Sequence, residues 1–398
     1  MPLIRTEKFW PNPEQESLLK AILLKGEAGS RALREWQVFY ESGRPLDAAS
    51  LHLLPLLYRR YQEKTGSKEL IEKCREVHLA AAKQTLRLFA EGRNVIGLFS
   101  KKEIPTLFLK GAVLAEAYYH EHGLRPMSDL DVLVPEERAA EALDLLRKEG
   151  WEPEDARKRN LSAAELVYFL HGLNLKKKGC PPLDLHWNIL AGYRRPEAEQ
   201  EMRSRAVHFS LQGESSLSLC GEDHFFLVCI HGLSIKSTAP IRWIADALQF
   251  VEAAPSRGGF DWARVSALAA QYRLNLKMLR ALEYLKEGFE VPVPEKVLEG
   301  LRLAAPSERE RLDYLLSAYG RDCRENPLSQ IRIFRTPRVL WLGYCQRLWR
   351  MDRCGKGGAC GVTGFLRYML FYLGKKHRAL LPLYLAREFI RKPRLLFP

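Results

Sequence analysis

Residues 109–134 read LKGAVLAEAYYHEHGLRPMSDLDVLV, and both the fold and the chemistry turn on this stretch. Its end, Ser128-Asp129-Leu130-Asp131-Val132-Leu133-Val134, reads as a short strand with Asp129 and Asp131 two positions apart. Side chains at i and i+2 of a strand point the same way, so the two carboxylates share a face. Carboxylates held together raise one another's pKa unless a cation compensates them. Magnesium is suited to that task, because it takes one or two carboxylates and fills its remaining positions with water and phosphate oxygens.

Upstream, IPTLFLKG reads as a strand from Pro105 to Leu109 that runs into Lys110 and Gly111, followed by a helix from Ala112 to Tyr119. A glycine between strand and helix lets backbone approach a ligand and aims helix N-terminal N–H groups at phosphate. Lys110 adds a point charge for the same oxygens. The order is strand, Lys-Gly turn, helix, Arg125, then Ser128 and the Asp-x-Asp strand, which is the layout of a phosphoryl or nucleotidyl transfer site. Plainer readings exist for each part. Asp-x-Asp also occurs in loops and calcium-binding turns, Lys110 could be a solvated strand end, and Arg125 could pair with Glu121 at a helix end.

These residues resemble the polymerase β-like nucleotidyltransferase superfamily, and within it a group of bacterial uncharacterised nucleotidyltransferases. The resemblance rests on Leu109-Lys110-Gly111 followed by Arg125 and Ser128 to Val134. It extends to Asp-Leu-His-Trp at 184–187, to HLLPLLYRRY from residue 52, and to EDHFFLVCIHGL from 222 with IRWIADAL after it. Better-known superfamily members carry Gly-Ser at the turn, where this chain has Lys110-Gly111-Ala112.

The resemblance implies a third carboxylate, Asp184, on a neighbouring strand, and an in-line displacement assisted by two divalent ions, Mg2+ or Mn2+. Asp129 and Asp131 would hold both ions, and Asp184 would bind the second or act as base for the acceptor hydroxyl. Lys110, Gly111 and Ser128 would position phosphates of a nucleoside triphosphate, while Arg125 would neutralise charge on the transferred group. His186 could orient Asp184, although a strand residue there is more often only packed or exposed, and His171 is expected on a strand of the same sheet in a structural role. His224 and His231, seven apart, share a helix face; this permits a metal or substrate contact, although such histidines are more often satisfied within a helical interface. Arg242 and Asp246, at i and i+4, make a helix ion pair.

At 398 residues the chain suggests two or three domains and can bury a sizeable core. MPLIRTEKFWPNPEQ has no apolar core of a secretory signal. No run reaches membrane-spanning length without charge, the nearest, around 364–386, being broken by Lys375, Lys376 and Arg378. A cytoplasmic protein is expected, with its eight cysteines reduced and no zinc at CGKGGAC.

The fold class expected is α+β: a polymerase β-like core of mixed sheet and helices, flanked by helical regions. The divisions are a helical region at 1–98, the nucleotidyltransferase core at 99–215, a helical domain at 216–328, and a basic, aromatic-rich helical extension at 329–398. That extension holds fifteen Lys and Arg against Asp352 and Glu388, so it carries nearly all of the chain's net charge of +14. Its tryptophans and tyrosines among arginines suit RNA, an anionic membrane or an acidic substrate, or a docking role alone. The function expected is transfer of a nucleoside monophosphate from a triphosphate to an unidentified acceptor, a small molecule, protein or RNA. The contrasting class is a catalytically inactive module of the same fold that binds nucleic acid or an anionic membrane surface.

Overall fold

The computed structural model describes residues 9–61, 67–190, 193–234 and 241–319. The basic extension at 329–398 and the apolar run within it lie outside these residues. The chain opens with helices α1 (Pro13–Leu23), α2 (Gly26–Glu41), α3 (Ala48–Leu51), α4 (Leu54–Tyr61) and the long α5 (Lys68–Ser100). The mixed region follows as β1 (Leu107–Phe108), α6 (Lys110–Ala117), β2 (Leu130–Leu133), α7 (Glu136–Lys148), β3 (Glu152–Pro153), α8 (Ala163–Phe169), β4 (Gly172–Lys176), β5 (Leu183–His186), α9 (Pro196–Ser204), β6 (Val207–Leu211) and β7 (Glu214–Ser218). Helices then return as α10 (Gly221–Gly232), α11 (Trp243–Ala253), α12 (Trp262–Tyr272), α13 (Asn275–Phe289), α14 (Glu295–Leu303) and α15 (Glu308–Tyr319).

The strands form a seven-stranded mixed sheet in the order β3-β4-β5-β2-β1-β7-β6, which makes the protein α+β as expected. β1 runs parallel to β7, whereas β6 with β7, β4 with β5, and β3 with β4 are antiparallel. The β6–β7 hairpin closes through Gln212 and Gly213, both at positive φ, which matches the right-handed twist of the strands it joins. β2 is buried along its whole length, as a central strand covered on both faces must be.

The described residues fall into two compact units, and the boundary between them runs through β2, after Asp131. One unit takes those within Met1–Gly97, Leu107–Asp131 and Gln200–Arg321; the other takes Leu98–Thr106 and Val132–Glu199.

In the first unit, α1 starts at a capping box in which the Asn12 side chain accepts from Gln15 N–H at 2.8 Å and Gln15 Oε1 accepts from Asn12 N–H at 3.0 Å, with Pro13 in the first turn. The centre of this unit is α10, GEDHFFLVCIHG, whose residues are buried on nearly every side by α11, α12, α13 and α6. Burying Asp223 and His224 on such a helix requires partners for both. Asp223 accepts from Arg264 Nε at 2.7 Å and from Nη2 at 3.1 Å, a bidentate pair that ties α10 to α12. Lys277 Nζ donates to Asp313 at 2.8 Å, and this equally buried pair ties α13 to α15.

In the second unit, α8 begins at a capping box between Ser162 and Glu165, and α7 places Ala139, Ala142, Leu143 and Leu146 in the core. Gly172 opposes His186 in the β4–β5 register, and a Cβ there would lie 2.8 Å from the His186 ring. The glycine is what lets a histidine occupy the neighbouring strand.

Close packing of α10 on α11 is testable. A Cβ at Gly232 would lie 2.3 Å from the Trp243 ring, so Gly232→Ala should destabilise the protein by about 1–3 kcal/mol. Nothing lies within 4 Å of a Cβ built at Gly97 in α5, so Gly97→Ala should be neutral or stabilise by up to about 1 kcal/mol. Urea unfolding of the two variants beside the wild type reads both.

Candidate active site

β1 ends at Phe108, and Leu109 N–H still donates to the Asp131 carbonyl at 3.1 Å. The next residue breaks the pattern. Lys110 has φ +44°, the left-handed region that residues other than glycine seldom enter, so the turn is strained at the lysine rather than at Gly111. Gly111 serves a different need: a Cβ there would lie 2.6 Å from Met127 Sδ and 2.8 Å from Arg125 Nη1, so the missing side chain makes room for the returning loop.

Lys110 is also the first residue of α6, where a backbone N–H has no carbonyl of its own helix to bond. It donates instead to His224 Nε2 at 3.3 Å, while His224 Nδ1 lies 3.1 Å from the Leu219 carbonyl oxygen. A carbonyl only accepts, so Nδ1 carries the proton, Nε2 offers its lone pair, and the ring is neutral. Burial, together with the charges of Lys110 and Arg125, lowers its pKa from 6.5 to about 4.

The Lys110 side chain turns toward β2, and its ammonium donates to Asp131 Oδ1 at 2.7 Å in a largely enclosed pair. Asp129 lies on the bend ahead of β2, not on the strand itself, because the ladder begins at Leu130. It accepts from the exposed Ser128 hydroxyl at 3.1 Å.

Arg125 is buried, and its partner is Asp246 rather than Glu121: Nε donates to Oδ1 at 3.1 Å and Nη2 to Oδ2 at 2.8 Å. Tyr119 Oη donates to the same Oδ1 at 3.0 Å. Asp246 is thus engaged twice from the loop that follows α6, and Arg242 uses its Nη1 to hold the Pro126 carbonyl. Burial, with Arg125 close by, brings the Arg242 pKa down to about 10. The helical i, i+4 pair expected between Arg242 and Asp246 gives way because Arg125 offers the carboxylate a bidentate fork.

On β5, Asp184 and His186 share a face, with Asp184 Oδ2 3.1 Å from His186 Nε2. The His171 ring lies 6.1 Å from the His186 ring, centroid to centroid. His171 itself precedes β4 by one residue, and its carbonyl accepts from the Trp187 and Asn188 N–H groups at 2.9 and 3.0 Å. His231, at the end of α10, is only partly buried and does not share the surroundings of His224.

Within the second unit, Asp184 and His186 thus offer a carboxylate oxygen and an imidazole nitrogen from one strand face, while Asp131 with its Lys110 partner belongs to the first unit. A carboxylate beside an imidazole suits a divalent cation, with the nitrogen favouring manganese or zinc more than magnesium. The sequence brought out Asp131 and Asp184 as ligands but gave His186 only an orienting role; the alternation Asp-Leu-His, which puts both side chains on one face, was the available signal.

A family model described as uncharacterised nucleotidyltransferase matches residues 47–290, more than half of the chain. The chain belongs to this family. Among solved structures it is similar to an antigenic nucleotidyltransferase-like protein from Paracoccidioides brasiliensis, at 11% identity and a TM-score of 0.30, over 56% of this chain and 97% of that one. No curated protein matches. Among the described residues, no helix is long and apolar enough to cross a membrane.

Two expectations follow for this nucleotidyltransferase-family protein. Asp246→Ala leaves Arg125 buried without its counter-charge and should cost about 3–5 kcal/mol in urea unfolding. His224 contributes a pH dependence of definite sign. The unfolded imidazole takes a proton near 6.5 and the folded one only near 4, so the unfolded state binds more protons between them. Stability should therefore fall by about 3 kcal/mol as pH drops through that window. His224→Gln should remove that part of the slope, as read by unfolding at matched pH values.

Proposed function

We propose that the protein is a divalent-metal-dependent nucleotidyltransferase of the polymerase β-like superfamily, moving a nucleoside monophosphate from a nucleoside triphosphate to an acceptor hydroxyl. The observation that carries this reading is the Lys110 ammonium seated against Asp131 at the head of α6, and the pairing of Asp184 with His186 on one face of β5 supplies the other donors of the proposed set. Family membership supports it.

In the proposed reaction the acceptor oxygen attacks the α-phosphorus, its proton is lost to a base, and the bond between the α-phosphorus and the bridging oxygen breaks to release pyrophosphate. Asp131, Asp184 and His186 would hold the cation, with Asp129 as a further carboxylate two residues ahead of Asp131. Mg2+ or Mn2+ bound there would offset phosphate charge and lower the pKa of the acceptor hydroxyl.

Asp184, with His186 3.1 Å away, binds the cation or acts as base for the acceptor hydroxyl. Lys110 and Gly111, at the head of α6, and Ser128, exposed beside Asp129, position phosphates. Arg125 acts on the reaction through the loop it anchors, since its fork is directed at Asp246. The basic extension remains a candidate for holding a polyanionic acceptor or an anionic membrane.

The test is incubation of the purified protein with each triphosphate, labelled at either the α or the γ position, together with Mg2+ or Mn2+ and a cell extract. Label from the α position should enter an acceptor and that from the γ position should not. Asp131→Asn and Asp184→Asn should each lower transfer by at least about a thousandfold, as expected when the charge stabilising a transition state is removed. Transfer of γ label, or full transfer by both variants, would contradict the proposal.

A further inference from the structure

We propose that His224 is a positioning residue for the Lys110 turn: its neutral imidazole bridges the Leu219 carbonyl and the Lys110 N–H, locking the left-handed backbone that brings the Lys110 ammonium onto Asp131. The link to catalysis rests on the nucleotidyltransferase reading above, whereas the locking of the turn does not.

Strand pairing explains why a bridge is needed here. β1 and β7 pair in parallel at Leu107 with Leu217 and at Phe108 with Ser218, and the next step of that register brings Leu109 and Leu219 to the end of the ladder. Beyond it the two chains leave the sheet, one into α6 and the other toward α10. The first N–H of α6 then lies beyond the ladder, and the carbonyl at the end of the β7 side, which accepts from the Ser218 hydroxyl at 3.3 Å, has a second lone pair to offer. One imidazole serves both, accepting at Nε2 from Lys110 and donating at Nδ1 to Leu219.

The ring has little freedom to do anything else. His224 is fully buried, and its plane lies 8° from that of Phe250 at a centroid distance of 5.6 Å; Phe250 is backed in turn by Tyr118 at 4.5 Å. The charged groups that face it are Lys110, Arg125 and Asp131. A protonated ring would turn an N–H toward the Lys110 N–H and lose the bridge. A lysine at φ +44° is a strained conformation that persists only when its surroundings over-determine it, and the bond to His224 is a polar contact made by that residue's backbone N–H. His224 is thus a histidine satisfied within a helical interface, as such positions most often are, with a role one step removed from the chemistry.

The experiment has three arms. Long-range 15N–1H correlation spectra of the wild type should show a fully buried imidazole with Nδ1 protonated and Nε2 bare across the range in which an ordinary histidine titrates; an Nε2-protonated ring would overturn the proposal. Hydrogen exchange resolved at the Lys110 amide should quicken by at least roughly tenfold in His224→Phe, which keeps the ring volume but offers no acceptor, and return toward wild type in His224→Gln, whose amide oxygen can accept. Unchanged exchange at Lys110 in a folded His224→Phe protein would also overturn it.

Binding of a non-hydrolysable triphosphate with Mg2+ should weaken by about tenfold in the Phe variant and recover in the Gln variant, in line with the loss of one charge-assisted contact. If the wild type binds no triphosphate, the proposed function fails, while the tautomer and exchange arms still decide the role of His224.

Discussion

The Lys110 ammonium against the Asp131 carboxylate, 2.7 Å apart and largely screened from water, sets the terms for everything around it. An enclosed carboxylate without a partner would be costly, and a flexible lysine on a mobile loop would be a poor partner. The chain solves this by starting a helix at the lysine itself, with its backbone bent into the left-handed region. The ammonium thus reaches back to β2 while Leu109, one residue earlier, still bonds to the Asp131 carbonyl. One aspartate is held at its main chain by β1 and at its side chain by the turn that ends β1.

That turn is supported from behind by a helix that does two tasks with adjacent residues. Asp223 of α10 grips Arg264 on α12, and His224 faces the Lys110 turn. The loop returning from α6 to β2 is fixed in a similar way, with Arg125 on Asp246, Tyr119 on the same carboxylate, and Arg242 on the Pro126 carbonyl. Buried ion pairs of this kind are poor contributors to net stability, but removing one partner is severe, so they specify an arrangement more than they strengthen it. The result is a rigid support for residues 125–131, from which Ser128 and Asp129 project.

Much of this was legible in the chain, and for identifiable reasons. The strand, turn, helix and strand order around Lys110 and Asp131 is local, and short-range patterning reports local structure well; the amphipathic helix at EERAAEALDLLRK is another case. Asp184 was legible through the resemblance carried by Asp-Leu-His-Trp, whereas His186 was given no more than an orienting role. What could not be read were partners far apart in sequence. Nothing in the spacing of Arg125 points to Asp246, and nothing in EDHFFLVCIHGL says that its histidine reaches Lys110, because sheet order and helix packing decide both. The exact start of β2, which leaves Asp129 on a bend, and the strain at Lys110 rather than Gly111 also depend on tertiary context overriding local preference.

The central claim is that Asp131, Asp184 and His186 together hold a divalent cation. The most direct measurement is titration of the wild type with Mn2+, following the free ion by electron paramagnetic resonance, alongside Asp131→Asn, Asp184→Asn and His186→Gln. The account predicts saturable binding by the wild type that each substitution weakens by at least about tenfold while the fold is retained. Equal Mn2+ binding by the wild type and all three folded variants would contradict it.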